Sequence, residues 1–134
     1  MSDECFFCRA IREKAGDFPM ESENFVARMD DFAISKGHCE ILPKKHIESF
    51  LDLTDDQVLE LYSLIKKMKK HLDDTLHPDA YNFGCNEGRA AGRTIDHFHY
   101  HIIPRYLGDV PNPRGGIRNI IAEKGNYSGT IFDK

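Results

Sequence analysis

Residues 96–106 read DHFHYHIIPRY, with His97, His99 and His101 at alternate positions. Phe98, Tyr100, Ile102 and Ile103 lie between and beyond them, and aromatic and β-branched residues favour an extended backbone in which alternate side chains share a face. The stretch is predicted to be a half-buried strand with its three imidazoles on one side. Neighbouring histidines would stand about 6.6 Å apart along it and the outer two about 13 Å. A metal ion binds imidazole nitrogen at about 2.0–2.1 Å, so a straight strand can hardly bring all three rings to one ion. The three are expected to do different work. Ordinary surface decoration is a poor explanation, because histidine has no special strand preference and each ring needs hydrogen-bond partners.

Composition narrows the setting. A chain of 134 residues, 40% hydrophobic and 30% charged, suits one globular domain that buries about two-thirds of its unfolded surface. Its apolar runs fall far short of the ~20 residues needed to cross a bilayer. The N-terminal MSDECFFCRAIREK lacks the apolar centre of a secretion signal, so a cytoplasmic protein with no membrane partner is expected. A net charge of −4 argues against a general nucleic-acid-binding surface, while leaving room for a local basic pocket around a small phosphate-bearing ligand. Of the four cysteines, Cys39 and Cys85 lie on predicted strands and read as small core residues. Cys5 and Cys8 form a C-x-x-C pair, which is by itself half a metal site, a redox pair or two core residues. Its place near the N-terminus is unlike the strand-to-helix position where redox pairs lower a thiol pKa. As a metal site it needs two more ligands.

Residues 8–14 read as a short helix, ended by Gly16-Asp17-Phe18-Pro19. NFVARMDD and CEILPKK read as strands joined through SKGH, AYNFGCNEG as another strand ending in a turn, and RAAGRT as a small-residue loop leading into the histidine strand. The clearest helix starts at Thr54, which forms a capping box with Gln57, and Val58, Leu61, Ile65, Met68 and Leu72 make one stripe. Lys66, Lys67, Lys69 and Lys70 are expected in its last turns, where they suit the negative end of the dipole as a solvated face. His71 and His77 share that exposed neighbourhood and receive no role. From Gly108 the tail is mostly loop. Strands with few, segregated helices indicate an α+β domain built on an antiparallel sheet.

Here the motifs resemble a known family. HFHYHII is similar to the H-φ-H-φ-H-φ-φ pattern, φ being apolar, of the histidine triad (HIT) superfamily of nucleotide hydrolases and transferases. SKGHCEILPKKH, with His38 and His46, resembles the family's upstream strand, and NEGRAAGRTIDH its substrate loop, so the likeness covers about residues 5–106 of a single domain. It implies a five-stranded antiparallel sheet with a long helix and a short N-terminal helix, usually as a homodimer.

The resemblance also implies a chemistry. The middle histidine, here His99, attacks the α-phosphorus of a nucleotide, such as a dinucleoside polyphosphate or a phosphoramidate, and water hydrolyses the nucleotidyl-imidazole to release a monophosphate. An imidazole with a reference pKa near 6.5 is substantially neutral at pH 7 and nucleophilic without a buried base, provided that Nδ1–H donates to a carbonyl and Nε2 faces phosphorus. His101 is implied beside the phosphate, where a donor such as protonated imidazole would stabilise developing charge. Asn86, Gly92 and Thr94 match phosphate-contacting positions, His38 another site histidine, and Asp30 a residue that grips ribose, a role neighbouring Asp31 could also fill. Arg93 departs from the glutamine of many relatives; its fixed charge and fork suggest a preference for phosphate-rich leaving groups, such as those of dinucleoside polyphosphates, over nucleoside phosphoramidates, which are the alternative. Arg114 and Arg118 could add to that field. In zinc-containing relatives, among them galactose-phosphate uridylyltransferases, the metal ligands match Cys5, Cys8, His46 and His97, a closed Cys₂His₂ set for structural zinc. Two rivals stand beside this reading: a metallohydrolase holding a catalytic ion on His97, His99 and a third ligand, and a nucleotide-binding scaffold without turnover.

Overall fold

The computed structural model describes residues 5–127. Five strands, β1 (Met20–Glu21), β2 (Phe25–Met29), β3 (Cys39–Pro43), β4 (Ala80–Gly84) and β5 (Tyr100–Arg105), form one sheet in the order β1-β2-β3-β5-β4. Every neighbouring pair is antiparallel. The α+β class and the strand number agree with the expectation. The short β1, which no sequence pattern marked, pairs Met20 with Ala27 and Glu21 with Val26.

Each face of the sheet has its own helix. On one, Phe25, Ala27, Cys39, Ile41, Phe98 and Ile102 pack against Leu61, Leu64, Met68 and Leu72 of α2 (Asp55–Leu76). On the other, Val26 and Leu42 pack against Phe7 of α1 (Phe6–Glu13). Strands β2 and β3 are therefore covered on both sides, and their burial is nearly continuous instead of alternating.

The start of α2 follows its sequence signal. Thr54 Oγ1 accepts from the Gln57 amide at 3.1 Å, and the Thr54 amide donates to Gln57 Oε1 at 2.8 Å. The end does not: the helix runs to Leu76, with His77 in a left-handed conformation at φ 50°, and its last turn has no basic residue. Lys69 and Lys70 instead pair with Asp73 and Asp74 one turn on, at 2.8 and 3.0 Å. The buried stripe is also shifted. Leu64 is buried, whereas Val58 and Ile65 are only half-buried.

The histidine segment keeps its alternation but less of its strand. The β5 ladder begins at Tyr100, so His97 and His99 lie ahead of it, His97 in a bend. The Phe98 amide donates to the Ile47 carbonyl at 2.7 Å, which holds the lead-in extended without a paired strand. Helix α1 begins two residues earlier than expected, with Cys5 as its N-cap accepting from the Cys8 amide at 3.4 Å. Cys39 is fully buried as expected; Cys85, just past β4, is exposed and belongs to no core.

The register of α2 is testable by truncation. Leu64→Ala removes a buried side chain and is expected to cost about 2–5 kcal/mol in urea unfolding, whereas Ile65→Ala, at a half-buried position, should cost clearly less.

Candidate active site

One ring organises the start of the site. His97 is fully buried, and its Nε2 lies 2.9 Å from the Pro43 carbonyl oxygen. A carbonyl only accepts, so Nε2 carries the hydrogen and Nδ1 presents a lone pair. That lone pair faces two thiols, Cys5 Sγ at 3.4 Å and Cys8 Sγ at 3.5 Å, and Cys8 Sγ is also 3.3 Å from His46 Nδ1. The four donor atoms of Cys5, Cys8, His46 and His97 lie within 4.8 Å of one another. A tetrahedral zinc with sulfur at about 2.3 Å and nitrogen at about 2.1 Å separates N from S by about 3.6 Å. Donor types, spacing and tautomer all fit such an ion. Burial, together with Cys5 next to it, pushes the Cys8 thiol up to about 11, so a metal binding here displaces protons.

Two residues on, His99 uses the opposite tautomer logic. Its Nδ1 lies 2.8 Å from the His97 carbonyl oxygen and must donate to it, which leaves the Nε2 lone pair free. The ring is packed by Phe7, with centroids 5.0 Å apart, and by the edge of His101 at 5.1 Å. His97 and His99 thus point their lone pairs to different partners, and neither shares an ion with the other.

His101 is governed from behind. The Ile34 amide donates to His38 Nδ1 at 3.2 Å, so His38 Nε2 carries the hydrogen and donates it to His101 Nδ1 at 3.0 Å. His101 consequently shows an Nε2–H. Burial first, then the neighbouring His99 and His38, depress this imidazole to about 4, so at neutral pH the donor is a neutral ring and not the protonated one expected. Asp30, His38 and His101 are close enough to hold a cation, but His38 Nε2 already spends its proton on His101 and has no lone pair to offer.

The β ladders extend this row. His101 of β5 stands opposite Glu40 of β3, and Glu40 opposite Arg28 of β2. Arg28 and Glu40 are both buried, with Arg28 Nη1 3.7 Å from Glu40 Oε1. Burial, a hydrogen bond to Asp30 and that carboxylate's charge push Glu40 up to about 9. Asp30 moves the other way: burial raises it, but hydrogen bonds from Glu40 and the Phe32 amide, with His38 and His101 nearby, hold it below the usual carboxylate range. The two carboxyls share one proton. Gly16, at φ +117°, lies so close to Arg28 that an added Cβ would come within 2.7 Å of Nε.

These groups surround a cleft of about 400 Å³ lined by His99, His101, Asp30, Asn86, Gly92 and Thr94, all expected from sequence, and also by Phe6, Phe7, Arg28, Asp31, Phe32, Glu40 and Ile95. His38 sits behind His101 rather than in the cleft wall. Arg93 is turned away: its Nη1 donates to the Glu48 carbonyl at 3.2 Å, and its ion pairs are with Asp96 at 3.2 Å and Glu87 at 3.9 Å. Those carboxylates neutralise the charge that suggested a phosphate-rich leaving group. Arg118 bonds the Gly125 carbonyl, and both it and Arg114 stack on Tyr127, away from the cleft.

Comparison with known proteins agrees with this geometry. A family model described as HIT domain matches residues 12–108. The chain belongs to the HIT family. It is 41% identical over 111 residues to an uncharacterized HIT-like protein of Methanocaldococcus jannaschii, covering 78% of this chain and 81% of that one. It is 33% identical over 117 residues to an adenosine 5'-monophosphoramidase of Schizosaccharomyces pombe, covering 84% and 79%. Among solved structures, a zinc-bound histidine triad family protein from Mycobacterium smegmatis matches with TM-score 0.73 and 28% identity, over 91% of this chain and 94% of that one.

Sequence reasoning on this HIT domain passed over Arg28 and Glu40. The signal was present: one charged residue in each of two short strands otherwise apolar enough to be covered on both faces. Glu40 has a testable consequence. Its folded pKa lies above the ordinary glutamate value, so between about pH 4.5 and 9 the folded state holds a proton that the unfolded chain releases. Stability must then fall as pH rises through that window. Glu40→Gln, which keeps the shape without the titration, is expected to be more stable than wild type by an amount that grows from near zero at pH 4.5 to on the order of 1–2 kcal/mol at pH 8, read by denaturant unfolding across pH.

Proposed function

We propose that this HIT protein hydrolyses nucleotides at the α-phosphorus through a covalent nucleotidyl-His99 intermediate, with a nucleoside phosphoramidate as its favoured substrate class. The observation that carries the reading is the hydrogen bond from His99 Nδ1 to the His97 carbonyl, because it leaves Nε2 with an unencumbered lone pair in a cleft lined by donors. Nε2 forms a bond to phosphorus as the bond from phosphorus to the leaving amine breaks, and the departing nitrogen takes a proton from water. The imidazolium so formed keeps its Nδ1–H on the carbonyl, which stabilises the positive charge. His101 Nε2–H donates to a non-bridging phosphate oxygen, fixed in that role by His38. In the second step water bonds to phosphorus, the P–N bond breaks, its electron pair returns to Nε2, and the surplus proton leaves to solvent.

Two observations support a phosphoramidate over a dinucleoside polyphosphate. Arg93, the residue that argued for a polyphosphate leaving group, is held by Glu48, Asp96 and Glu87. The relative from Schizosaccharomyces pombe carries the name adenosine 5'-monophosphoramidase. Polyphosphates remain the comparison substrate.

Cys5, Cys8, His46 and His97 are the residues that would hold zinc, and a closed four-ligand ion supplies structural cross-linking, not chemistry. It would tie α1 to the segment carrying His99, so that Phe7 stays against the nucleophile's ring.

Two measurements test these readings. Rapid quenching with labelled phosphoramidate should trap nucleotide on His99 of the wild type, and His99→Ala should lose both adduct and turnover, by about a thousandfold or more; an active enzyme with no adduct rejects the covalent mechanism, and an adduct that never turns over rejects the hydrolase. Purified protein is expected to carry about one zinc per chain, and Cys5→Ser to lose it together with several degrees of Tm. A brief exposure to chelator should leave turnover intact until the fold loosens, whereas immediate loss would indicate a catalytic ion.

A further inference from the structure

The inner wall of the cleft is more polar than a pocket for an apolar group requires. Arg28 and Glu40, 3% and 2% exposed, lie in register on neighbouring strands and line the same cleft as His99 and His101. A buried ionisable pair gives a fold no advantage over apolar residues of similar size, so its presence on a binding surface points to recognition.

The hydrogen bonds show which atoms are left for a ligand. Arg28 Nε and Nη2 each lie 3.2 Å from the Ala15 carbonyl, and Nη2 is 3.0 Å from Asp31 Oδ2. The guanidinium is further held against the ring of Phe6, at 5.3 Å. Among the described residues Nη1 makes no hydrogen bond and stands 3.7 Å from the Glu40 carboxyl. Asp31 Oδ1 is likewise without one, on a side chain 47% exposed. A donor and an acceptor are therefore left over on one ion pair, and Phe6 and Phe32 line the cleft with them as flat apolar surface. Glu40 shares its proton with Asp30 and brings no competing negative charge.

That pattern matches one edge of a planar base. Guanine presents a carbonyl oxygen next to a ring N–H and an amino group; adenine presents an amino group next to a ring acceptor, the reverse order. We propose that Arg28 and Asp31 read the edge of guanine in a nucleotide whose phosphate lies against His99 and His101, with Nη1–H donating to the carbonyl and Asp31 Oδ1 accepting from the N–H and amino groups. The assignment rests on the nucleotide reading above and names its base. The span agrees, since Arg28 is two strands from His101, about 10 Å at ~4.8 Å per strand, a distance that a ribose and a base can bridge.

Binding of the product-like monophosphates separates this idea from catalysis. By calorimetry GMP is expected to bind the wild-type protein at least about tenfold tighter than AMP, with IMP, which lacks the amino group, between them. Asp31→Asn keeps the shape but removes the counter-ion of Arg28, so it should stay folded with a Tm lowered by a few degrees and bring the GMP to AMP ratio within about twofold. Arg28→Lys, which keeps the charge but loses the fork, should reduce the same ratio. Equal wild-type affinity for GMP and AMP overturns the guanine assignment and leaves the nucleotide reading standing. An Asp31→Asn protein that keeps the full preference overturns the role of Asp31. If none of the three nucleotides binds, both readings fall.

Discussion

The site depends on the two-sided bonding of one buried imidazole. His97 gives its Nε2 hydrogen to the last residue of β3 and turns its Nδ1 lone pair toward the N-terminal cysteines. An eight-residue helix such as α1 is marginal by itself, so this link and the packing of Phe7 determine where it lies. The same residue's carbonyl selects the tautomer of His99. One residue thus couples a candidate metal-ligand set, a sheet and the proposed nucleophile, and a change in its ring orientation would be felt by all three.

From that anchor the chemistry is laid out across the sheet rather than along a strand. His101, Glu40 and Arg28 occupy successive strands in register, which converts the ladder's regular spacing into a graded wall: neutral donor, shared proton, fixed cation. The gradation follows from burial. Solvent exclusion penalises every charge in the row, and the row responds by keeping His101 neutral, protonating Glu40 and leaving the negative charge on Asp30, where the Phe32 amide and the proton shared with Glu40 meet it. Each of these groups limits the ionisation of the next.

Much of this was legible in the sequence because the signals were local. The alternation from His97 to His101, the capping box at Thr54 and the C-x-x-C pair each specify a geometry within a few residues, and the HIT motifs supplied the longer-range correspondences. What stayed hidden depended on partners distant in sequence. Arg93 reads as a free cation until folding brings Glu48, Glu87 and Asp96 around it. The protonation of His101 could not be inferred without knowing that His38 fills its Nδ1. Strand β1 has two residues and no periodicity to detect, and the lysine run that resembles a helix terminus is instead carried on to Leu76 by its aspartate partners one turn later.

Gly16 illustrates how far such control can reach. A methyl there would come within 2.7 Å of the Arg28 guanidinium, and the glycine's φ of +117° already disfavours any other residue. The aim of the arginine is therefore set in part by the loop that carries Ala15 and Gly16, neither of which lines the cleft. Attempts to retune selectivity by randomising only the visible walls would leave this set-screw untouched, and a lone exchange at position 16 could alter ligand choice with no change in any residue the ligand meets.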